Sequence, residues 1–486
     1  MSEPVLKYED VTIAYPNGRR AVLGVSLEIR PGECHALVGE SGCGKTTLGR
    51  AALGLLPGGT RIQGSIRVCG IEITRAAPAD MRRLRGLRAG LIAQDPFHAF
   101  NPLARVEDHV AEAWRAHRMQ PPQERILAQL TEMGIPDADA RARQYPHEWS
   151  GGMLQRATIA AAAAHRPALL VADEPTSALD ADNARGVLEL LRTRQAAVLL
   201  ISHDLNLVAR FADRVSIMKE GRILESGATD EIMRRPQHPY TRELLAAPPR
   251  AFKGGERDGE LPGRKEGFAL EATGVCKTYR QRGRSLVAVD RVSLRARRGE
   301  ILGICGPSGS GKSTLLRLLA AIEPPTGGSI AFGGKPVPDA GYVMPIFQDP
   351  VGSLDARWPV WRTITEPLLA SHRKERPGRA ARRSIARERL GTIGLASIDP
   401  EARPAELSVG QCQRIAILRA LLAEPAVLLA DEPTSALDAL HAGAIVRLLQ
   451  TAAAAGTAII LVSHDQQLLQ ACCHRVLRMR EGELKE

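Results

Sequence analysis

Aromatic side chains are scarce in this chain, and two further absences narrow what it can be. Phe, Trp and Tyr make up 3% of the 486 residues, which argues against the base-stacking platforms that bind single-stranded nucleic acid. No stretch approaches the roughly 18 consecutive apolar residues of a membrane-spanning helix. The first residues, Met1 to Asp10, are polar and lack the apolar core of a signal peptide. If the protein works at a membrane, we expect other chains to supply the spanning segments.

Cysteine is present, but without the spacing of a zinc module or a disulfide framework. The eight cysteines are Cys34, Cys43, Cys69, Cys276, Cys305, Cys412, Cys472 and Cys473. No two of them form a C-x-x-C pair, which argues against structural zinc. The pattern is typical of a protein in a reducing cytosol.

The hydrophobic fraction of 44% is that of a globular protein with cores to bury, and the length predicts two to four domains. The net charge of +11 admits an anionic partner, such as nucleic acid, nucleotide or an acidic membrane surface. Arginine is concentrated in residues 280–298 and 373–389. The second of these stretches is typical of a solvated helix face.

Two glycine-rich loops, Gly39–Thr46 and Gly306–Ser313, match the pattern G-x-x-x-x-G-K followed by Ser or Thr. Glycines let backbone N–H groups converge on phosphate oxygens, the lysine adds a positive charge, and the last hydroxyl can bind Mg²⁺. One match could arise by chance, but each is followed by the same later motifs in the same order. We therefore assign these residues to nucleotide binding: Gly39, Ser41, Gly42, Gly44, Lys45, Thr46 and Thr47 in the first loop, and Gly306, Ser308, Gly309, Gly311, Lys312, Ser313 and Thr314 in the second.

An apolar run that ends in an acidic pair follows each loop. We predict that the first acid, Asp173 or Asp431, holds Mg²⁺ through a water molecule. The hydroxyl of Thr46 or Ser313 is predicted to bind the same ion directly. The second acid, Glu174 or Glu432, is the predicted catalytic group that polarises the attacking water. A solvated Asp-Glu pair at a strand end is the alternative for either pair taken alone.

A histidine and a glutamine recur at matched positions in the two halves. His203 and His464 each follow an apolar run, where a histidine can reach the terminal phosphate and hold the catalytic glutamate in line. Gln94 and Gln348 each precede Asp-Pro and are predicted to sense Mg²⁺ and the attacking water. A core histidine and a turn glutamine are the alternatives, but the duplication favours function.

The constant order of these motifs predicts two tandem domains, residues 1–248 and 268–486, joined by a flexible linker of residues 249–267 that is rich in glycine and charge. Short apolar runs alternate with helical patterns in each half, which predicts an α/β fold with a mostly parallel sheet. The predicted catalytic groups follow the strands, at the carboxyl edge where such sheets place ligands.

A further motif reads Trp149–Arg156 in the first half and Leu407–Arg414 in the second. In each, a serine is predicted to cap a helix whose N-terminus binds an anion. A second anion site is redundant in a domain that already has a phosphate loop, unless it covers the nucleotide held by the other domain. The predicted nucleotide contacts here are Ser150, Gly151, Gly152, Ser408, Gly410 and Gln411.

Together these motifs resemble a fused pair of ATP-binding cassettes of the ABC family. The resemblance implies two P-loop ATPase domains, each with an antiparallel β subdomain and a helical signature subdomain. It also implies that the domains close head to tail around two ATP molecules and Mg²⁺. Site one would pair the first loop with Ser408 and Gly410, and site two would pair the second loop with Ser150 and Gly152.

The same resemblance places Tyr15 and Tyr279 where an aromatic ring stacks on adenine; a tyrosine of the core or of an edge strand is the alternative. One position departs from the family pattern, because Val409 follows the signature serine where a glycine is usual. A β-branched residue is costly there if the position needs positive φ or a close approach to phosphate. We therefore predict that site one closes less tightly than site two.

Three segments resemble the ATPases of bacterial peptide and nickel importers: Tyr145–Met153, Arg235–Leu245 and Gln348–Asp355. The resemblance implies two permease subunits, an external binding protein, and a peripheral position on the cytoplasmic face of the inner membrane, with no nucleic-acid partner. Many relatives carry a cysteine-rich iron–sulfur tail after the second segment, whereas residues 246–268 contain no cysteine. That difference favours nickel or metal chelates over long peptides as cargo.

Three other classes of protein remain as alternatives. A soluble tandem cassette that acts on the ribosome would suit the basic charge, but such proteins resemble cassettes joined by a long charged helical linker. A DNA-repair cassette would need zinc modules, which the missing C-x-x-C pairs argue against. An exporter ATPase is opposed by the three importer-like segments.

Overall fold

The computed structural model describes residues 3–40, 42–94, 96–176, 181–193, 196–246, 267–281, 284–307, 309–370, 376–434, 437 and 439–485. The predicted phosphate contacts Ser41 and Ser308 lie outside the described residues, as does almost all of the predicted linker. The chain divides into two compact units, Met1–Ala246 and Ala247–Glu486.

The first unit alternates strands and helices, with short 3₁₀ helices at Ile73–Arg75 and Pro146–Glu148. Its strands are β1 (Leu6–Ala14), β2 (Arg20–Ile29), β3 (Cys34–Gly39), β4 (Arg61–Val68), β5 (Ile71–Glu72), β6 (Ala89–Ile92), β7 (Leu169–Asp173), β8 (Ala197–Ile201), β9 (Arg214–Lys219) and β10 (Arg222–Ala228). Its helices are α1 (Lys45–Ala52), α2 (Pro78–Leu84), α3 (Pro96–Ala99), α4 (Val106–Arg115), α5 (Gln123–Glu132), α6 (Ala138–Ala142), α7 (Gly151–Ala162), α8 (Ala181–Thr193), α9 (Leu205–Phe211), α10 (Thr229–Arg234) and α11 (Pro239–Leu245).

The second unit repeats this alternation, with 3₁₀ helices at Glu366–Leu369 and Pro404–Glu406. Its strands are β11 (Phe268–Gln281), β12 (Arg284–Arg297), β13 (Ile301–Cys305), β14 (Gly327–Phe332), β15 (Val343–Ile346), β16 (Val427–Asp431), β17 (Ala458–Val462), β18 (Arg475–Arg480) and β19 (Glu483–Lys485). Its helices are α12 (Lys312–Leu319), α13 (Val360–Ile364), α14 (Arg379–Thr392), α15 (Val409–Leu422), α16 (Ala439–Ala454) and α17 (Gln466–Cys472).

A six-stranded sheet forms the centre of each unit, with the order β10-β9-β3-β8-β7-β6 in the first and β19-β18-β13-β17-β16-β15 in the second. The strands pair in parallel except at the β9–β10 and β18–β19 edges, which are antiparallel. The predicted α/β fold with a mostly parallel sheet is therefore confirmed. The two orders match position for position, as the repeated motifs imply.

A separate antiparallel sheet packs beside each phosphate loop, with the order β2-β1-β4-β5 in the first unit and β12-β11-β14 in the second. In the first unit, the buried Tyr8 of β1 donates a hydrogen bond of 2.8 Å to the carbonyl oxygen of Leu48 in α1. The expected antiparallel subdomain is thus present and is held against the helix that follows the loop.

Strand register brings the sequence motifs to one edge of each parallel sheet. Asp173 at the end of β7 lies opposite Ile201 of β8, and Ile201 in turn lies opposite Leu37 of β3. All five residues of β7 and of β8 are buried, so these strands are continuously apolar up to the point where the polar motif begins. Asp431 of β16 has the matching partner, Val462, in the second unit.

Helices α4 to α7 and α13 to α15 make up the predicted helical subdomains, with a core of their own in the second unit. In the arginine-rich helix α14, Arg382, Ala386 and Leu390 are buried. Of the helices in the described ranges, none combines the length and the apolar composition that crossing a bilayer requires.

Candidate functional site

Glycine is required in both phosphate loops for conformation and for space. Gly44 and Gly311 cap α1 and α12 in the left-handed region, with φ of 107° and 103°. A Cβ atom at either position would collide with a backbone carbonyl oxygen, that of Ala21 or that of Ala288. Both the positive φ and the close approach exclude a larger residue. The loop is thereby packed tightly against the neighbouring antiparallel sheet.

The lysine of each loop folds back over the loop itself. Lys45 Nζ donates to the carbonyl oxygens of Gly39 and Glu40 at 2.8 and 2.7 Å. Lys312 Nζ makes the same pair of bonds to Gly306 and Pro307, both at 2.8 Å. The ammonium groups are therefore held at the mouth of the loop, where phosphate oxygens would be recognised.

The hydroxyl that follows the lysine meets the first acid of the acidic pair. Thr46 Oγ1 donates to Asp173 Oδ1 at 3.0 Å, and Ser313 hydrogen-bonds to Asp431 in the second unit. Burial raises the pKa of both aspartates above the ordinary value, and these hydrogen bonds oppose the rise. Hydroxyl and carboxylate oxygens are the donors that Mg²⁺ prefers, so this pair of residues fits that ion.

The second acid of each pair contacts the histidine predicted to orient it. His203 Nδ1 lies 3.4 Å from Glu174 Oε1, and His464 Nδ1 lies 3.2 Å from Glu432 Oε2. Both glutamates adopt a left-handed backbone, with φ of 48° and 49°, which is costly for a residue with a side chain and is often found at functional sites. Sequence reasoning missed this conformation, because it arises from the turn that leaves the strand.

Charge coupling inside these pairs is visible in their pKa shifts. Burial alone would lower the pKa of His203, but the hydrogen bond and charge of Glu174 outweigh it and raise the pKa. The hydrogen bond that His464 donates to Glu432 raises the pKa of His464 as well. Burial alone would raise the pKa of Glu174, yet its contact with His203 lowers it. Glu174 is thus held as a carboxylate, the form that can accept a proton.

The predicted sensor glutamines are placed differently in the two units. Gln94 Nε2 donates to Glu174 Oε2 at 2.9 Å, which joins it to the predicted catalytic glutamate. Gln348 is exposed and lines a cavity of about 250 Å³ together with Ser313 and Asp431. The first unit therefore assembles Lys45, Thr46, Gln94, Asp173, Glu174 and His203. In the second unit, Ser313, Gln348 and Asp431 line the cavity, and Glu432 contacts His464.

Of the two predicted adenine-stacking tyrosines, Tyr15 contacts the helix that follows the phosphate loop, and Tyr279 contacts the segment just after the matching helix. The hydroxyls of Tyr15 and Thr47 are hydrogen-bonded at 3.0 Å, while Tyr279 donates to Glu323 at 2.7 Å. Glu323 also pairs with Lys277 at 3.2 Å. Sequence reasoning missed Glu323, whose only signal is its position shortly after α12. Thr314 occupies the position in α12 that Thr47 occupies in α1.

The signature serines cap helices, as predicted. Ser150 Oγ accepts a hydrogen bond from the Met153 backbone N–H at the start of α7. Ser408 Oγ accepts from the Gln411 N–H, and the Gln411 side chain accepts from the Ser408 N–H at 2.8 Å. Gly151 and Gly152 open α7, and Gly410 is the second residue of α15. Within the described residues, no hydrogen bond joins Ser150 to the phosphate loop of its own unit.

Val409 is the first residue of α15, where Gly151 stands in α7. Neither residue has a positive φ, so the position does not need the conformation that only glycine adopts freely. That part of the reason for expecting a cost at Val409 is wrong. What remains is bulk, because the valine is 51% exposed at the start of the helix.

This chain is similar to known proteins along almost its whole length. A protein-family model described as "ABC transporter" matches residues 22–177 and 289–435. "Oligopeptide transport ATP-binding protein OppD" of Mycobacterium tuberculosis is 34% identical, over 99% of this chain and 94% of its own length. "Peptidoglycan transport ATP-binding protein YejF" of Agrobacterium fabrum is 36% identical, over 100% of this chain and 92% of its own. "Glutathione import ATP-binding protein GsiA" of Shigella boydii is 35% identical, over 99% and 86%.

A solved structure of an archaeal ribosome recycling factor, in complex with a ribosomal stalk protein, is also similar. Its TM-score is 0.64 at 21% identity, and the match covers 98% of this chain and 89% of that one. At this level of identity the likeness shows the fold alone.

Proposed function

This chain belongs to the ABC transporter family, and from that premise we propose that it energises a bacterial importer of peptides or of nickel and metal chelates. It is an ATPase, and it binds nucleotide through its duplicated cassettes. We propose the boundaries 1–248 and 268–486 for the two cassettes, with residues 249–267 as the linker.

The observation that carries the proposal is the full-length likeness to three proteins named for oligopeptide, peptidoglycan and glutathione transport. All three names describe cargo that contains peptide, so a peptide is the first cargo to test. Nickel or a metal chelate is the second, because the cysteine-free stretch at residues 246–268 differs from the iron–sulfur tail of many relatives.

At the first site, each residue has one task in ATP hydrolysis. When nucleotide binds, Lys45 donates to phosphate oxygens in place of the carbonyl oxygens of Gly39 and Glu40. Bound Mg²⁺ supplies positive charge to the phosphates, and Thr46, Gln94 and Asp173 are the residues that would hold it. Glu174 accepts a hydrogen bond from the attacking water, and His203 keeps its carboxylate in place. In the second site, the same tasks fall to Lys312, Ser313, Gln348, Asp431, Glu432 and His464.

We propose that each site is completed by the other cassette. Ser408, Gly410 and Gln411 would cover the nucleotide on the first loop, and Ser150, Gly151 and Gly152 the one on the second. Capped helix starts such as those of α7 and α15 offer N–H groups and a positive dipole end to phosphate. Separated cassettes mixed at low concentration are expected to lose most of the ATPase activity of the joined chain.

Contact with two permease subunits is supported by exposed apolar side chains near the sensor glutamines. Leu103, after Gln94, is 85% exposed. Phe347 and Val351, on either side of Gln348, are 40% and 43% exposed. Apolar side chains left in water beside a nucleotide-sensing residue suit a partner surface that moves with ATP. Docking there would keep the protein peripheral, on the cytoplasmic face of the inner membrane.

Uptake by a deletion strain tests the whole proposal. Wild-type protein should restore uptake of a labelled peptide, whereas the Lys45→Ala, Lys312→Ala double variant should not, because neither loop then binds ATP productively. A strain that regains nickel uptake instead would identify the second cargo. Restored uptake with the double variant would contradict the site assignment. Co-purification with ribosomes rather than with membrane subunits would favour the ribosomal alternative.

A further inference from the structure

We propose that Tyr240 in helix α11 is a positioning residue for the first phosphate loop, acting through Lys219 and Glu40. The helix closes the first unit, directly before the linker, and belongs to a segment that the catalytic description does not use. This inference rests on the proposed role of that loop as an ATP site. It adds a residue, some 200 positions away in sequence, that sets how the loop meets nucleotide.

The segment that carries Tyr240 is firmly attached to its own unit. Glu225 of β10 accepts hydrogen bonds from the backbone N–H groups of Gln237 and His238, at 2.7 and 3.1 Å. His238 Nδ1 then accepts from the Tyr240 N–H at 3.1 Å and caps the helix. Leu244 is buried one turn later. The orientation of the tyrosine is therefore determined from both sides.

Tyr240 meets the phosphate loop through a cation. The side chain is only 4% exposed, and Lys219 Nζ lies 4.4 Å from the centre of its ring. The same ammonium lies 3.9 Å from Glu40 Oε1. Burial raises the pKa of Tyr240, and the charge of Glu40 raises it further, so the phenol stays neutral beside the carboxylate. The lysine thus links an aromatic face and an acid of the loop.

Glu40 transmits this contact to the part of the loop that recognises phosphate. It is the residue after Gly39, and its carbonyl oxygen accepts the 2.7 Å hydrogen bond from Lys45. Lys219 ends β9, the strand that pairs with β3 up to Gly39. An acid beside bound phosphates repels them, and a cation held against it by the Tyr240 ring reduces that repulsion. Loss of the ring should free Lys219 and weaken nucleotide binding at this loop.

The second unit does not reproduce the cluster. Pro307 stands at the position of Glu40, directly after the first glycine of the loop, and has no carboxylate. Arg480 stands at the end of β18, as Lys219 does at the end of β9, and pairs with the adjacent Glu481 at 3.9 Å. The effect of Tyr240 is therefore specific to the first loop, and this specificity makes it testable.

The test measures ADP affinity in two backgrounds of the full-length chain. Lys312→Ala leaves the first loop as the intact one, and Lys45→Ala leaves the second. Tyr240→Leu should raise the Kd for ADP roughly tenfold in the Lys312→Ala background and leave it unchanged in the Lys45→Ala background. Tyr240→Phe keeps the ring over Lys219 and should restore most of the affinity. Glu243→Ala, an exposed change in the same helix, is the matched control and should alter neither value.

A second readout follows from the reciprocity of coupled sites. If Tyr240 favours nucleotide at the first loop, nucleotide must favour the docked helix. ADP should therefore slow amide hydrogen exchange in residues 239–245 of the wild type and of Lys312→Ala, but not of Lys45→Ala. A helix that only stabilises the fold would gain no more protection from ADP than the rest of the first unit gains.

Several results would overturn the inference. Equal weakening in both backgrounds would show a general loss of stability instead of a positioning role. Absence of rescue by Tyr240→Phe would show that the ring over Lys219 is not what acts on the loop. Should Tyr240→Leu fail to fold, Lys219→Gln removes the cation and leaves the tyrosine buried; unchanged ADP affinity in that variant would also overturn it. If Lys45→Ala has no effect on ADP binding, the proposed ATP site fails, and this inference fails with it.

Discussion

Single residues at the candidate site are held in states that are costly in isolation. Glu174 and Glu432 have left-handed backbones, and each is stabilised by a backbone hydrogen bond to the neighbouring strand, at 2.9 and 3.0 Å. The expense of such a conformation is of the order of 1–3 kcal/mol, so it persists because the surrounding sheet determines it. Each glutamate is thereby aimed at a histidine on the adjacent strand end.

The charge state of His203 depends on this arrangement. In Glu174→Gln the carboxylate is lost while burial remains, so the pKa of His203 should fall below its ordinary value of 6.5. Histidine ring resonances followed by NMR against pH would measure the midpoint. Glu432→Gln is the matched control, since it should move His464 and leave His203 unchanged. An unaltered His203 midpoint in Glu174→Gln would contradict the coupling.

The same raised pKa has a consequence for stability. Because the folded protein holds the proton on His203 more tightly than the unfolded chain, the pair stabilises the fold fully below about pH 6.5. This contribution is lost as the pH rises through the folded pKa. Glu174→Gln should therefore reduce the dependence of the unfolding free energy on pH in that window, as denaturant titrations at several pH values would show.

Two glycines of the second unit, one in the phosphate loop and one outside it, allow a prediction about steric fit. Gly311 and Gly334 both have positive φ, but only Gly311 would place a Cβ against a backbone oxygen. Gly334→Ala should cost about 1–2 kcal/mol from its backbone conformation alone. Gly311→Ala should cost more and abolish nucleotide binding at the second loop, because the loop or Ala288 must move. Urea unfolding would measure the stability of each variant, and ADP titration would measure its nucleotide affinity. Equal effects of Gly311→Ala and Gly334→Ala would be evidence against tight packing of the loop.

At the scale of elements, the starts of α7 and α15 are the features that connect local structure to the proposed catalysis. Both helices are capped by a serine, and α15 adds a reciprocal bond that the Ser408 N–H donates to the Gln411 side chain. Strands β7 and β16 play the complementary role, since their fully apolar sequences run to the acidic pair and end there.

Removing a cap should have a small effect on folding and a large one on turnover. Ser150→Ala and Ser408→Ala should each lower the unfolding free energy by about 1 kcal/mol. Turnover should fall much further, because the same hydroxyl and helix start would contact phosphate across the cassette pair. Unfolding curves and steady-state ATPase rates on the same samples would check both numbers. If the ATPase rate falls no further than the loss of folded protein explains, the serines have a purely structural role.

On the scale of the whole molecule, the two units share a topology but differ in detail near their phosphate loops. Gln94 hydrogen-bonds to Glu174, the proposed catalytic residue of its unit, whereas Gln348 lines a cavity. The cluster of Tyr240, Lys219 and Glu40 occurs in the first unit, and the pair of Tyr279 and Glu323 in the second. Because of these differences, we expect the two proposed ATP sites to differ in nucleotide affinity and hydrolysis rate.

Val409 offers a direct test of that inequality. Its half-exposed side chain stands at the start of the helix that would cover site one. Site one should therefore close less tightly and hydrolyse ATP more slowly than site two. Glu432→Gln, which disables site two, should then reduce the ATPase rate more than Glu174→Gln does. Val409→Gly should narrow the difference. Equal losses in the two glutamine variants would count against unequal sites.

The motifs of this sequence were enough to predict the duplicated α/β fold, because phosphate loops, acidic pairs and buried strands depend on local composition and on a spacing that repeats. The serine caps of α7 and α15 were predictable for the same reason, since a capping residue acts within one turn of its own position. Tertiary structure decided what no spacing encodes. The left-handed turn at Glu174, the pairing of Tyr279 with Glu323 and the approach of Tyr240 to the first phosphate loop all depend on which distant segments meet in space. Contacts between residues far apart in the chain arise from packing of the whole unit, and a motif read along the chain carries no information about them.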